Sequence, residues 1–179
     1  MYRVLLIRYF IPALAALAIG IPTAFAAGAA GLPGGATSLR ETYQAWQVAC
    51  AVQDKTKHCA LLQQQTEKNG LKVLTIQLTP TADRGASGTL ILPFGLLLSS
   101  GVKFQIDDKP AVDPLPFRTC LPAGCVVPLT FNAAILKMLR AGTVLKLIAT
   151  QSANGQPFTF SVSLKGFAPA LDRTRALLH

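Results

Sequence analysis

The sequence predicts an all-β protein: an antiparallel β-sandwich of about eight strands with one short helix. Three observations carry this. Several short segments alternate apolar and polar residues with a period of two, as half-buried strands do. Turn-forming residues separate those segments at short, regular intervals, as in sandwiches rather than in parallel α/β folds. One stretch alone carries helical spacing together with a cap and a stop.

The chain opens with a leader. Arg3 and Arg8 make residues 1–26 positive at the start, and residues 9–21 are apolar but shorter than the roughly 20 residues that span a bilayer. Pro22 breaks the helix, and Ala24-Phe25-Ala26 gives the small-x-small pattern at which a signal peptide is cut. Cleavage is expected between Ala26 and Ala27. Residues 27–40 are small, Gly/Pro-rich and aperiodic, and read as a flexible lead-in.

The folded domain is expected over 41–171. Leu74, Ile76 and Leu78 alternate with Thr75, Gln77 and Thr79; Val102, Phe104 and Ile106 with Lys103, Gln105 and Asp107; Phe158, Phe160, Val162 and Leu164 with Thr159, Ser161, Ser163 and Lys165. Each pattern gives a strand one dry and one wet face. Weaker strands are expected over 43–50, 59–65, 89–92, 125–129 and 143–150. Turns are expected at Lys68-Asn69-Gly70, at Ala153-Asn154-Gly155 and in the Pro-rich 110–116 stretch. The helix is expected over 133–140. Asn132 caps it, Phe131 and Leu136 have staple spacing, Ile135, Leu136 and Leu139 share a face, and Gly142 supplies the stop. Residues 172–179 read as a C-terminal tail.

Four cysteines, Cys50, Cys59, Cys120 and Cys125, follow the leader. An even count in an exported chain predicts two disulfides, and four cysteines allow three pairings. The local pairing, Cys50–Cys59 and Cys120–Cys125, is the simplest. Cys50 ends one strand and Cys59 opens the next, while Pro122 and Gly124 bend the short loop from Cys120 to Cys125. Each bond would contribute about 2–3 kcal/mol by restricting the unfolded chain. A four-thiolate zinc site normally separates paired cysteines by two residues, which these spacings do not, and no Cys-x-x-Cys dithiol occurs.

The residues do not assemble a catalytic pattern. The two histidines are His58, in a polar turn beside Cys59, and His179, the last residue. No His-Glu-x-x-His, Gly-x-Ser-x-Gly or phosphate-binding Gly-rich loop occurs. Asp107 and Asp108 are the one adjacent acidic pair; consecutive strand residues face opposite ways, so they read as a turn rather than as paired carboxylates. A cleft built from Gln63, Gln64, Gln65 and His58 would be the enzymatic alternative, against which a glutamine run reads as a solvated edge strand. No catalytic residue, metal ligand or cofactor site is therefore expected. Net charge is +9, and removal of Arg3 and Arg8 with the leader leaves +7. That surplus favours anionic neighbours, including peripheral contact with an anionic membrane surface. The cations are scattered and not interleaved with exposed aromatics, so nucleic acid is not expected as a partner.

One family has this order of elements: Trp46-Gln-Val-Ala-Cys50, Cys59-Ala-Leu, Leu92-Pro-Phe-Gly95, Gly101-Val-Lys-Phe-Gln-Ile-Asp107, Phe117-Arg-Thr-Cys120-Leu-Pro-Ala-Gly124-Cys125, and Ser163-Leu-Lys-Gly166-Phe167. Over residues 43–171 the chain resembles the invasion-associated locus B family of exported Gram-negative proteins. The resemblance implies an immunoglobulin-like sandwich and a periplasmic location, with outer-membrane association or secretion also compatible. It implies a non-enzymatic role in binding an envelope or host-surface protein, linked in some members to host-cell entry. It brings no catalytic residues. A periplasmic ligand-binding or enzyme-inhibiting module is the alternative.

Overall fold

The structure is a computed structural model and describes residues 31–66, 68, 70 and 72–179. The leader expected at 1–26 lies outside the described residues, as do 27–30 of the lead-in and Asn69 of the expected turn.

Among the described residues, ten strands and two α-helices follow one another: β1 (Ser38–Tyr43), β2 (Trp46–Gln53), β3 (Thr56–Thr66), β4 (Lys72–Pro80), β5 (Ala86–Leu92), β6 (Val102–Ile106), β7 (Thr119–Leu121), β8 (Gly124–Phe131), α1 (Ala133–Ala141), β9 (Val144–Thr150), β10 (Pro157–Ser163) and α2 (Phe167–Leu178). All pairings are antiparallel, in a seven-stranded sheet ordered β1-β2-β3-β4-β5-β8-β7 and a three-stranded sheet ordered β10-β9-β6. The antiparallel two-layer class is the expected one. The partition into seven and three strands differs from the four and three of an immunoglobulin constant domain. The reason is local: β1 to β5 are joined by short turns, so each pairs with the next and the large sheet grows as a meander.

Alternation decides which faces meet. Trp46, Val48 and Cys50 of β2, Leu74, Ile76 and Leu78 of β4, and Val127, Leu129 and Phe131 of β8 are buried on the inner face of the large sheet. Phe104, Ile106, Leu145, Leu147, Phe160 and Val162 answer from the small sheet. Phe104 meets Phe131 edge-on at 5.8 Å between ring centroids, which ties β6 to β8 across the core.

The small sheet does not cover the whole inner face. α2 packs against β1, β2, β3 and β4 and buries Phe167, Ala170, Leu171, Thr174 and Leu177. This corrects the expected boundaries. Residues 172–179 are not a tail, because the second half of α2 closes the core over the first four strands. The lead-in is shorter than expected: Leu32 is buried in the core, and β1 begins at Ser38. Pro169 is compatible with α2 because it is the third residue of the helix, where the backbone N–H has no intrahelical partner.

Two glycines set the joints. Gly166, with φ 85°, turns the chain from β10 into α2 against the Tyr43 carbonyl, and a Cβ there would overlap that oxygen. Gly142 follows α1 as expected, but its φ of −83° is open to any residue. Its smallness is what matters, since a Cβ would lie 2.7 Å from Ile106 Cγ2 and 3.0 Å from Leu164 Cδ1. The expected N-cap is present: Asn132 Oδ1 accepts from the Ile135 N–H at 2.9 Å.

Candidate functional site

Cys50 and Cys59 stand directly opposite each other on β2 and β3, as Cys120 and Cys125 do on β7 and β8. Both pairs are disulfide-bonded and no cysteine is free, so the chain offers no thiol nucleophile or thiolate ligand. The first bond is buried under α2; the second has Cys125 buried and Cys120 half-buried near the sheet edge.

The structure does not gather Gln63, Gln64, Gln65 and His58 into a cleft. They lie along β3, which is an interior strand with β2 and β4 on either side, so the expected solvated edge is corrected. Gln63 points inward and is 5% exposed, while Gln64 and His58 are exposed. Gln63 donates to the Ser163 carbonyl at 2.9 Å, Gln65 to the Ser161 carbonyl at 2.8 Å, and the Trp46 indole to the Ser163 carbonyl at 2.8 Å. Ser161 and Ser163 belong to β10, an edge strand. Side chains of the large sheet thus satisfy outward-facing carbonyls of the small one, which a sheet edge otherwise leaves to water or to another chain. Trp46 also meets Phe167 edge-on at 5.0 Å, so one indole joins both sheets and α2.

Several carboxylates are committed to structure. Glu41 on β1 accepts from Arg173 on α2 at 2.7 and 2.9 Å and from the Tyr43 hydroxyl at 2.8 Å. The Arg173 guanidinium, then the Tyr43 hydroxyl, hold Glu41 below the usual carboxylate range. Asp172 on α2 takes a bidentate bond from Arg140 on α1, which lowers its pKa. Asp107 accepts from the backbone N–H groups of Val144 and Thr143, which lower it likewise, while Asp108 pairs with Lys146 at 3.1 Å. The two adjacent acids therefore hold different partners in a turn. A carboxylate held low by fixed donors is a poor proton carrier near neutral pH. Among the described residues no group of three or more His, Cys, Asp or Glu is arranged to hold a metal ion.

The apolar surface is uneven. Phe94 is 61% exposed and Phe158 46%, and both line an open groove of about 730 Å³ with Val73, Leu96, Gln151 and Thr159. The groove wall is held in place: Leu97 N–H donates to the Thr150 carbonyl and Ser152 N–H to the Gly95 carbonyl, both at 2.8 Å, and Phe158 stacks edge-on against Phe160. Leu97 and Leu98 are exposed in the segment that follows Leu96. Sequence reading placed Phe158 in the core because it continues the inward alternation of β10; the strand outruns the sheet that would cover it. By contrast, the space between the sheets beside α1, lined by Phe104, Ile106, Phe131, Met138 and Leu145, is only about 40 Å³. That is room for about one water, an order below a small-molecule site. No helix among the described residues is long and apolar enough to cross a membrane.

Comparison with known proteins agrees with this architecture. The profile of the "Invasion associated locus B (IalB) protein" family matches residues 46–175, from Trp46 through most of α2. An invasion protein B homolog of Brucella abortus (strain 2308) is 44% identical over 156 residues, 87% of this chain and 90% of the relative. Invasion protein B of Bartonella bacilliformis is 40% identical over 158 residues, 87% of this chain and 85% of the relative. The crystal structure of invasion associated protein B from Bartonella henselae superposes with a TM-score of 0.73 at 39% identity, covering 78% of this chain and 97% of that one. With its cross-strand disulfides, its meander sheet and a match that runs from Trp46 into the closing helix, the chain belongs to the invasion-associated locus B family.

Proposed function

We propose that this protein is a non-enzymatic, exported envelope protein that acts by binding another protein at or near the bacterial surface. The observation that carries the reading is the groove bearing Phe94 and Phe158. Two exposed aromatic rings over a rigid wall, rimmed by Gln65, Gln151 and Thr159, have the make-up of a protein contact surface rather than of a reaction site. The leader read at residues 1–26 supports export, and two disulfides suit an oxidising compartment. A periplasmic location fits both, as do outer-membrane association and secretion. The relatives' names associate them with invasion, and a part in host-cell entry is the corresponding reading for this chain.

A photo-crosslinking residue at Phe158, and separately at Thr79 on the outer face of β4, tests this in living cells. The expected outcome is a discrete adduct from position 158, absent from position 79 and lost when Phe94 is changed to Ser. Equal adducts from both positions, or none from position 158, would overturn the groove as the contact surface.

A further inference from the structure

A second surface feature lies away from that groove and does not depend on it. Four cations converge on an open cleft of about 330 Å³ whose floor is Ala133, Leu136 and Ala141. They come from three separate parts of the chain. Arg84 sits in the turn joining β4 to β5, Lys137 and Arg140 on one flank of α1, and Arg175 on α2. Positions 133, 137, 140 and 141 recur at helical spacing, so one strip of α1 forms a wall of the cleft.

Among the described residues, the one carboxylate ion-paired to these cations is Asp172, which takes both of its bonds from Arg140. Arg84, Lys137 and Arg175 carry no ion pair among the described residues. Asp83, beside Arg84 in sequence, is turned into its own loop, where it accepts from the Thr81 hydroxyl and the Gly85 N–H. Arg175 spends one N–H on the Arg84 carbonyl at 2.9 Å, which fixes its guanidinium beside the Arg84 backbone and leaves four further donors. Arg84 has φ 64°, a left-handed conformation that non-glycine residues adopt at a cost. Glycine would fill that turn position with less strain, and glycine would bring no charge to the cleft.

We propose that this cleft is an anion site for a phosphate ester, held by Arg84, Lys137 and Arg175. With Asp172 the one counter-ion among the described residues, the four cations remain in excess and repel, and a dianionic or monoanionic phosphate relieves that repulsion while accepting from the guanidinium and ammonium donors. The short alanines leave room for the phosphate oxygens to approach. A lipid headgroup and a soluble phosphate ester present the same chemistry.

The test uses the mature chain and a double variant, Arg84→Gly with Lys137→Gln, both at exposed positions. Arg84→Gly keeps the backbone conformation, so the variant is expected to melt at or above the wild-type temperature. Titration with inorganic phosphate, followed by amide NMR at constant ionic strength, should shift resonances of Arg84, Lys137 and Arg175, and the double variant should bind at least about tenfold more weakly. Sedimentation with vesicles of phosphatidylcholine and phosphatidylglycerol, against phosphatidylcholine alone, separates the sources. Retention on anionic vesicles that the variant loses assigns a headgroup; phosphate binding without vesicle retention assigns a soluble ester. Shifts scattered over the surface, or a folded variant that binds as the wild type does, would overturn the proposal.

Discussion

The inner face of the large sheet is covered in two different ways. Over β5 and β8 lies the three-stranded sheet, joined through Phe104 and Phe131; over β1 to β4 lies chiefly α2, joined through Phe167, Leu171 and Leu177, with β10 reaching β2 and β3 through Trp46, Gln63 and Gln65. The sheet-covered half is built from strands in the middle of the chain. The helix-covered half joins the first strand to the last element, so its contacts are the longest in sequence. Each half has one disulfide hairpin, Cys50–Cys59 under the helix and Cys120–Cys125 at the far edge. The difference teaches that a sandwich with unequal sheets needs a second cover, and that this chain makes it from a helix held by two ion pairs.

Removing the second cover should have the largest effect. Truncation after Gly166 exposes the buried inner residues of β1 to β4, and the chain is expected to lose cooperative unfolding by circular dichroism and near-native amide dispersion. A truncated chain that melts like the full one would show that α2 is peripheral. Next, Phe167→Ala and Phe104→Ala compare the halves directly. Each removes a buried ring and should cost about 3–5 kcal/mol in denaturant unfolding. The Phe167 change should in addition raise proteolysis within β1, while the Phe104 change should not.

The disulfides come next. Replacing Cys50 and Cys59 by Ala should cost about 2–3 kcal/mol and replacing Cys120 and Cys125 about 2 kcal/mol, since the first closes the longer loop. Equal or reversed losses would mean that burial, not loop closure, sets the order. Gln63→Ala should cost about 1 kcal/mol, because the Trp46 indole still donates to the Ser163 carbonyl that Gln63 leaves.

The smallest effect is that of acid on the helix-covered half. Glu41 and Asp172 both have folded pKa values below their ordinary ones, so their pairs with Arg173 and Arg140 contribute fully above the ordinary carboxylate pKa. That contribution is lost as pH falls through the folded values. A Glu41→Gln, Asp172→Asn double variant should therefore be less stable than wild type at neutral pH, with the gap closing in acid. Asp107 is also held low, by backbone donors next to the small sheet, so the variant should keep part of the acid transition.

The sequence made the sheet-covered half legible and much of the other half obscure. Val102 to Ile106 and Phe158 to Val162 alternate cleanly because their sheet faces another sheet, and Leu74 to Leu78 is the exception in the helix-covered half, an interior strand whose pattern is as clean. The hairpin disulfides were legible because Cys50 and Cys59 flank a polar turn and Cys120 and Cys125 a bend made by Pro122 and Gly124. β1 escaped because its inward positions are Leu39, Glu41 and Tyr43, and Glu41 is satisfied by an arginine 132 residues away. α2 did carry a signal in Phe167, Ala170, Leu171, Thr174 and Leu177 at helical spacing, interrupted for the reader by Pro169 and by four charged or hydroxyl residues over 172–175. Gln63 looked like surface because its partner is a backbone carbonyl of another sheet, which no side-chain pattern announces. The groove and the cationic cleft were not legible at all, since each is assembled from segments distant in the chain.

The position of α2 has a consequence in time. A chain made or threaded from its N-terminus presents Trp46, Val48 and Leu61 early, while the 12 residues that cover them arrive last. Until then β1 to β4 are a sheet with one bare greasy side and their joint at Gly166 still unmade. Completion of this half must therefore wait for α2, so any helper that shields an unfinished fold has its period of need set by the emergence of that helix.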